Sequence, residues 1–276
     1  MTDEWTIDAL DLEAYLRRIG YDGDRAPSAD TLRALHRAHV ATIAFENLDI
    51  VLGRAIAVDL ASIETKLVAR GRGGYCYEHG LLFAAALERL GFTVERLLAR
   101  VGEQVDGAPP RARTHMTLRV TTGAERWLAD VGFGTGLLEP LPFDAHEPRA
   151  QGGWSFELAA VGPHAWELRE RRGSEWLTAY RFDDQRQHAA DIVMANHFTS
   201  TYPRSPFVGK AVLARKDEES IRRLVARRFT VTRPDGAIDE RDLGDAEIVG
   251  ALRDIFRVPL SDEELDQLLA ATPANA

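Results

Sequence analysis

The chain has 276 residues, 45% hydrophobic and 28% charged, the make-up of a globular protein with a sizeable core, and no apolar run reaches the ~20 residues that cross a membrane. A formal charge of −9 and a pI near 5.4 exclude the dominant basic surface of a nucleic-acid binder. One cysteine, Cys76, allows neither an intramolecular disulfide nor a CxxC zinc site, and the acidic start Met1-Thr2-Asp3-Glu4-Trp5 does not read as a secretory signal, so a cytoplasmic protein is expected.

Taken in chain order, the first ninety residues read as helical. Leu12, Tyr15, Leu16 and Ile19 form one stripe between Asp11 and Ile19. Ser28 is placed to cap a helix carrying Leu32, Leu35, His36 and His39. A third helix is expected from Asp59 to Arg70, broken by Gly71-Arg72-Gly73-Gly74, and a fourth from Cys76 to Leu90, stopped by Gly91. After Gly91 the pattern becomes strand-like. Phe92–Val101, Thr114–Val120, Arg126–Val131, Trp154–Val161, Ala165–Glu170 and Trp176–Phe182 are short, β-branched or aromatic, and separated by turn residues, which predicts an antiparallel sheet or barrel. Strands at Val208–Ala214 and Phe229–Thr232 then precede helices near Asp245–Phe256 and Ser261–Ala270, the latter opened by a Ser261/Glu264 capping box. The chain divides into a helical segment 1–91, a β segment 92–206 and a mixed α/β segment 207–276.

Cys76 follows a glycine turn and opens an apolar helix. A lone cysteine is as a rule a small buried hydrophobe. At a helix start, however, unpaired N–H groups and the positive end of the dipole stabilise a thiolate and a developing oxyanion. A nucleophilic thiol also needs a base and a group that orients the base. His115 begins a predicted strand and Asp130 ends the next; a hairpin at Thr121–Glu125 sets them side by side, with Asp130 accepting the imidazole Nδ1–H. Each residue alone reads as an ordinary hydrogen-bonded strand-end group, and the order of all three favours chemistry.

The run Arg72-Gly73-Gly74-Tyr75-Cys76-Tyr77-Glu78 resembles the signature of arylamine N-acetyltransferases. Phe45-Glu46-Asn47-Leu48-Asp49, Thr114-His115 and Asp130-Val131-Gly132-Phe133-Gly134 match in the family's order, with Ser200–Phe207 as a looser match. The resemblance implies an α+β fold with an N-terminal helical bundle, a central antiparallel β-barrel and a C-terminal α/β lid around a cysteine-protease-like catalytic core. It implies Cys76 as the acylated nucleophile, His115 as proton carrier and Asp130 as its orienting group. Phe45 and Phe133 match acceptor-pocket positions, Arg72 and Glu46 a bracing ion pair, and Thr114 and Phe207 segments near the coenzyme A cleft. The implied partners are acetyl-CoA as co-substrate and an arylamine, arylhydrazine or arylhydroxylamine, with no metal, nucleic acid or membrane. Two positions depart from the family pattern: Gly80 replaces the usual Asn, removing a side-chain support of the helix, and Tyr202 stands where His is frequent.

Rival readings are a macrolactam-forming amide synthase on the same fold, a papain-like or transglutaminase-like hydrolase, and a binding module that keeps the three residues as relic structure. No GxSxG, dinucleotide or P-loop motif occurs, and His36 and His39 lack the accompanying ligands of a metal site.

Overall fold

In the computed structural model, which describes residues 4–105, 107–143 and 147–273, the N-terminal helices form where caps and apolar spacing coincide. Helix α1 (Leu12–Ile19) starts at Asp11, whose carboxylate accepts the Ala14 N–H at 2.9 Å, and stops at Gly20 with φ +69°. Helix α2 (Ala29–Thr42) starts at Ser28, which accepts the Thr31 N–H at 3.2 Å. Helix α2 buries its whole stripe, and α1 buries Tyr15, Leu16 and Ile19 with Leu12 half-buried. A short strand β1 (Phe45–Glu46) and helices α3 (Leu48–Val51) and α4 (Leu60–Glu64) follow. Where one α-helix was expected from Asp59 to Arg70, α4 passes into a π turn over Thr65–Ala69, and Lys66 is buried there together with Leu67.

Helix α5 (Cys76–Arg89) is buried on every side from Cys76 to Leu87 and forms the centre of the N-terminal core. Its first residue is the cysteine, so the thiol sits at the junction between this core and the strands.

Eight strands form one antiparallel sheet: β2 (Thr93–Val101), β3 (His115–Thr122), β4 (Glu125–Ala129), β5 (Leu141–Pro142), β6 (Arg149–Gln151), β7 (Trp154–Gly162), β8 (Ala165–Arg172) and β9 (Glu175–Asp183). Their order is β5-β4-β3-β2-β9-β8-β7-β6, so the two edges are strands adjacent in the chain. Gln151 on β6 nearly closes the barrel: its amide oxygen accepts the Leu138 and Glu139 N–H groups at 2.8 and 3.0 Å, and its amide nitrogen donates to the Glu139 carbonyl. Leu97, Leu128, Trp154, Phe156, Leu168 and Tyr180 fill the interior. The β3–β4 hairpin turns at Gly123 (φ +59°) between paired Thr122 and Glu125, as the sequence predicts.

Helix α6 (Ala189–Thr201) had no counterpart in the sequence reading. It buries Ile192, Asn196 and Thr199 while Val193 and Met194 face outward, so no apolar stripe marks it. Its start is fixed instead by Asp191, which accepts the His188 N–H at 2.9 Å.

A second sheet, in the order β1-β10-β11-β12-β13, joins the N-terminal segment to strands β10 (Val212–Lys216), β11 (Ile221–Val225), β12 (Arg228–Thr232) and β13 (Ile238–Asp242). The strand expected from Val208 begins only at Val212. Asn47 explains the delay, because its amide nitrogen donates to the Phe207 and Lys210 carbonyls and its oxygen accepts the Val212 N–H. Strand β13 is exposed at every position and carries charge on an open edge, which discourages strand pairing with another chain. Helix α7 (Asp245–Gly250), a π turn over Ala251–Phe256 and helix α8 (Asp262–Ala271) complete the fold; the Ser261/Glu264 capping box of α8 forms in full. Among the described residues no helix is long and apolar enough to cross a membrane.

Candidate active site

Three elements converge on the thiol. Cys76 is the first residue of α5, His115 the first of β3, and Asp130 the residue after β4. All three are at most 3% exposed. Gly132 makes the approach possible, since a Cβ there would lie 2.8 Å from the Cys76 carbonyl oxygen.

His115 Nε2 lies 2.6 Å from Asp130 Oδ2. The expected contact through Nδ1 is therefore corrected. A ring at the first position of β3 presents its far nitrogen to the carboxylate, and Nδ1 is the nitrogen left without a hydrogen bond among the described residues. The ring is packed between Phe133 and Tyr180, with centroids at 5.0 and 4.9 Å. Burial by itself raises the Asp130 carboxyl, but the His115 charge, hydrogen bonds from His115 and Tyr180, and the Gly132 N–H together hold it below its ordinary value.

The thiol behaves differently from the helix-dipole expectation. Burial pushes Cys76 up, the nearby Asp130 and Glu78 charges add to this, and the Met116 and Tyr77 N–H groups pull it down without offsetting it. The sulfur donates to the Thr114 carbonyl at 3.7 Å, as a protonated thiol can.

A cleft of about 370 Å³ opens onto the sulfur and the imidazole. Phe45, Thr114, Phe133 and Phe207 line it, while Asp130 stands behind His115 and does not. Phe45 reaches this wall because β1 pairs with Ala214 of β10 and bridges to Gly74. The Phe207 ring lies 5.8 Å from that of Phe45. Exposed Lys210 and Arg223 also line the opening.

Behind the helix start lies a buried charge network. Arg72 Nη2 meets Glu46 Oε1 at 2.8 Å, the pair named from the sequence. Lys66, Asp49, Glu78 and Glu264 were not: Lys66 Nζ binds Asp49 at 2.7 Å and Glu78 at 2.8 Å, and Glu78 also accepts the Tyr75 N–H at 3.0 Å. Glu264, from α8, comes within 3.8 Å of Arg72. An acid three residues after the cap was the one available signal, but Tyr75 at the cap hid it. His36, which the sequence places on the stripe of α2 and sets aside as a metal ligand, accepts the Asp130 N–H on its Nε2. Gly80 packs on Met116, whose sulfur a Cβ would meet at 3.3 Å, so the Met116 side chain occupies space that a larger residue at 80 would need. The helix stays unbroken there. Tyr202 stacks on Phe198 at 4.6 Å and takes a hydrogen bond from Arg204 Nε at 2.8 Å. Among the described residues no three His, Cys, Asp or Glu side chains converge to hold a metal.

A buried cysteine at a helix start, with an imidazole and a carboxylate delivered by a barrel hairpin, defines the thiol acyl-transfer class of enzyme folds. The sequence matches the N-acetyltransferase family over residues 28–265. Arylamine N-acetyltransferase from Escherichia coli (strain K12) is 36% identical over 256 residues, covering 91% of this chain and 90% of the relative. The structure of arylamine N-acetyltransferase from Mycobacterium abscessus superposes with a TM-score of 0.91 at 36% identity, covering 99% and 98% of the two chains. That of the Mycobacterium marinum enzyme in complex with CoA superposes with a TM-score of 0.88 at 33% identity, covering 95% and 98%. The chain belongs to the arylamine N-acetyltransferase family.

Proposed function

We propose that this protein moves an acetyl group from acetyl-CoA to an arylamine, arylhydrazine or arylhydroxylamine by a ping-pong route through a thioester on Cys76. The observation that carries this reading is one cleft holding the Cys76 sulfur and a His115 ring fixed by Asp130 at 2.6 Å. The bound coenzyme in the Mycobacterium marinum structure supports the donor, and exposed Lys210 and Arg223 suit its phosphates.

In the first half-reaction the Cys76 proton passes to His115 as sulfur attacks the thioester carbonyl. The Met116 and Tyr77 N–H groups steady the charge on sulfur. Coenzyme A leaves with the proton from His115, and the acetyl group stays on Cys76. In the second half-reaction a neutral aromatic amine enters between Phe45 and Phe133 without desolvating a charge. Its nitrogen attacks the acetyl carbonyl, His115 accepts the amine proton, and Cys76 leaves and is reprotonated. Thr114 and Phe207 guide the donor, and Asp130 keeps the imidazole in place throughout.

The test is intact-mass analysis after mixing with acetyl-CoA, followed by aniline or phenylhydrazine. One acetyl per chain, lost on adding amine with formation of the amide, is the expected result. Absence of the adduct in the wild type, or its persistence in Cys76→Ala, rejects the reading. Acetate release without amine supports a hydrolase instead.

A further inference from the structure

The loop Gly132-Phe133-Gly134-Thr135-Gly136 forms one wall of the cleft, and three of its five residues are glycine. Such a segment does not hold itself in one conformation. Among the described residues it pairs with no strand. Its two polar anchors are the Gly132 N–H on Asp130 Oδ1 at 3.0 Å and the Thr135 carbonyl, which accepts from Lys216 Nζ at 3.0 Å. Beneath it lies a small cavity of about 20 Å³ lined by Asp130, Gly134, Gly136 and Lys216, so packing from below is incomplete.

Lys216 is the last residue of β10 and is 3% exposed. A buried ammonium carries a heavy desolvation cost unless it is paired. Here Nζ binds Glu170 Oε1 at 2.6 Å and lies 4.1 Å from the Trp154 ring centroid and 4.5 Å from that of Phe156. The acyl-transfer chemistry gives this cation no task.

We propose that Lys216 is a positioning residue for the acceptor pocket: its ammonium, held by Glu170, tethers the Thr135 carbonyl and thereby sets the place of Phe133. The inference rests on the acetyl-transfer reading of the cleft and adds to it a determinant of acceptor binding outside the cleft. Burial pulls Lys216 down to about 8, against the opposing pull of Glu170. The charged groups around it are Glu170 and Arg172 on β8, Asp130 and Arg215 across the small cavity, and Arg37, Asp217, Glu218, Arg222, Asp254 and Arg257 in the open cleft on the far side. Above about pH 8 the ammonium loses its proton and the tether weakens, so acceptor affinity falls while the thiol, acylated in that half-reaction, does not titrate.

The experiment measures KM for aniline across pH 6.5 to 9.5, and separately the rate of Cys76 acetylation by quenched-flow mass analysis. In Lys216→Met the aniline KM rises about tenfold while acetylation stays within about twofold of wild type. In wild type the aniline KM rises through pH 8, and in Glu170→Gln, which keeps the shape but removes the charge that holds the proton, that rise moves to lower pH. The second variant carries the test if the first does not fold. An unchanged aniline KM in folded Lys216→Met, an equal fall in both half-reactions, or a rise that does not move in Glu170→Gln overturns the proposal. Failure of the wild type to form any acetyl-enzyme would instead overturn the acetyl-transfer reading itself.

Discussion

The backbone N–H of Asp130 donates to His36 Nε2 at 3.1 Å, and the opposite nitrogen of that ring, Nδ1, donates to the Leu138 carbonyl at 3.0 Å. Those two bonds use a neutral imidazole and fix its tautomer. His36 therefore holds the main chain that presents the Asp130 carboxylate to His115.

Acid should unfold the protein through this ring and through His79. Burial lowers both to about 4 from an ordinary 6.5. His79 donates from Nε2 to the Ala44 carbonyl and accepts on Nδ1 from His39, whose own Nδ1 accepts from the Tyr15 hydroxyl. The unfolded chain takes up these protons below pH 6.5 and the folded chain does not until about pH 4. The contribution of these two rings is therefore flat above 6.5 and falls as pH drops from 6.5 to 4, by on the order of 3 kcal/mol per ring. Urea midpoints measured between pH 4 and 8 give the slope, and His36→Asn should flatten it; an identical slope in that variant would count against the assignment.

Replacing Asp130 by Asn removes the charge that holds His115 and lets the ring adopt the wrong tautomer. Cys76 acetylation should slow by about 10³ to 10⁴ with the fold retained. Single-turnover acetylation with a circular dichroism control checks this, and a loss below tenfold would argue that Asp130 is merely structural.

Arg72 is 1% exposed and its Nη1 has no hydrogen-bond partner among the described residues. Neutralising its closest acid in Glu46→Gln leaves Asp49 at 3.5 Å and Glu264 at 3.8 Å as the remaining charges. A cost of about 3 kcal/mol is expected, with a smaller cost when Arg72→Met is added, because the stranded charge is then gone. Thermal denaturation of the two variants decides the sign of the coupling.

Gly80→Asn should destabilise by about 1 to 3 kcal/mol through overpacking, since the added Cβ meets the Met116 side chain at 3.2 to 3.4 Å. Met116→Ala in the same chain should recover part of the loss. Additive effects in the double variant would show that the two positions are not in contact.

The helices α1, α2, α5 and α8 were legible in the sequence because their caps and apolar stripes are local, and so was the β3–β4 turn that aligns His115 with Asp130. Cys76 stood out for the same reason, as a thiol between a glycine turn and an apolar helix. Local pattern could not show α6, which faces Asn196 and Thr199 inward, or the late start of β10, which Asn47 imposes from far along the chain.

What the sequence determined by itself was the family motif, the order of the reactive residues and the elements that carry them. Tertiary structure decided which imidazole nitrogen meets Asp130, that burial outweighs the helix start at the thiol, and that Lys66, His36 and Lys216 lie buried around the site. Desolvation and hydrogen-bond partnership are set by neighbours dozens to hundreds of residues away, and spacing along the chain does not encode those neighbours until the core has formed.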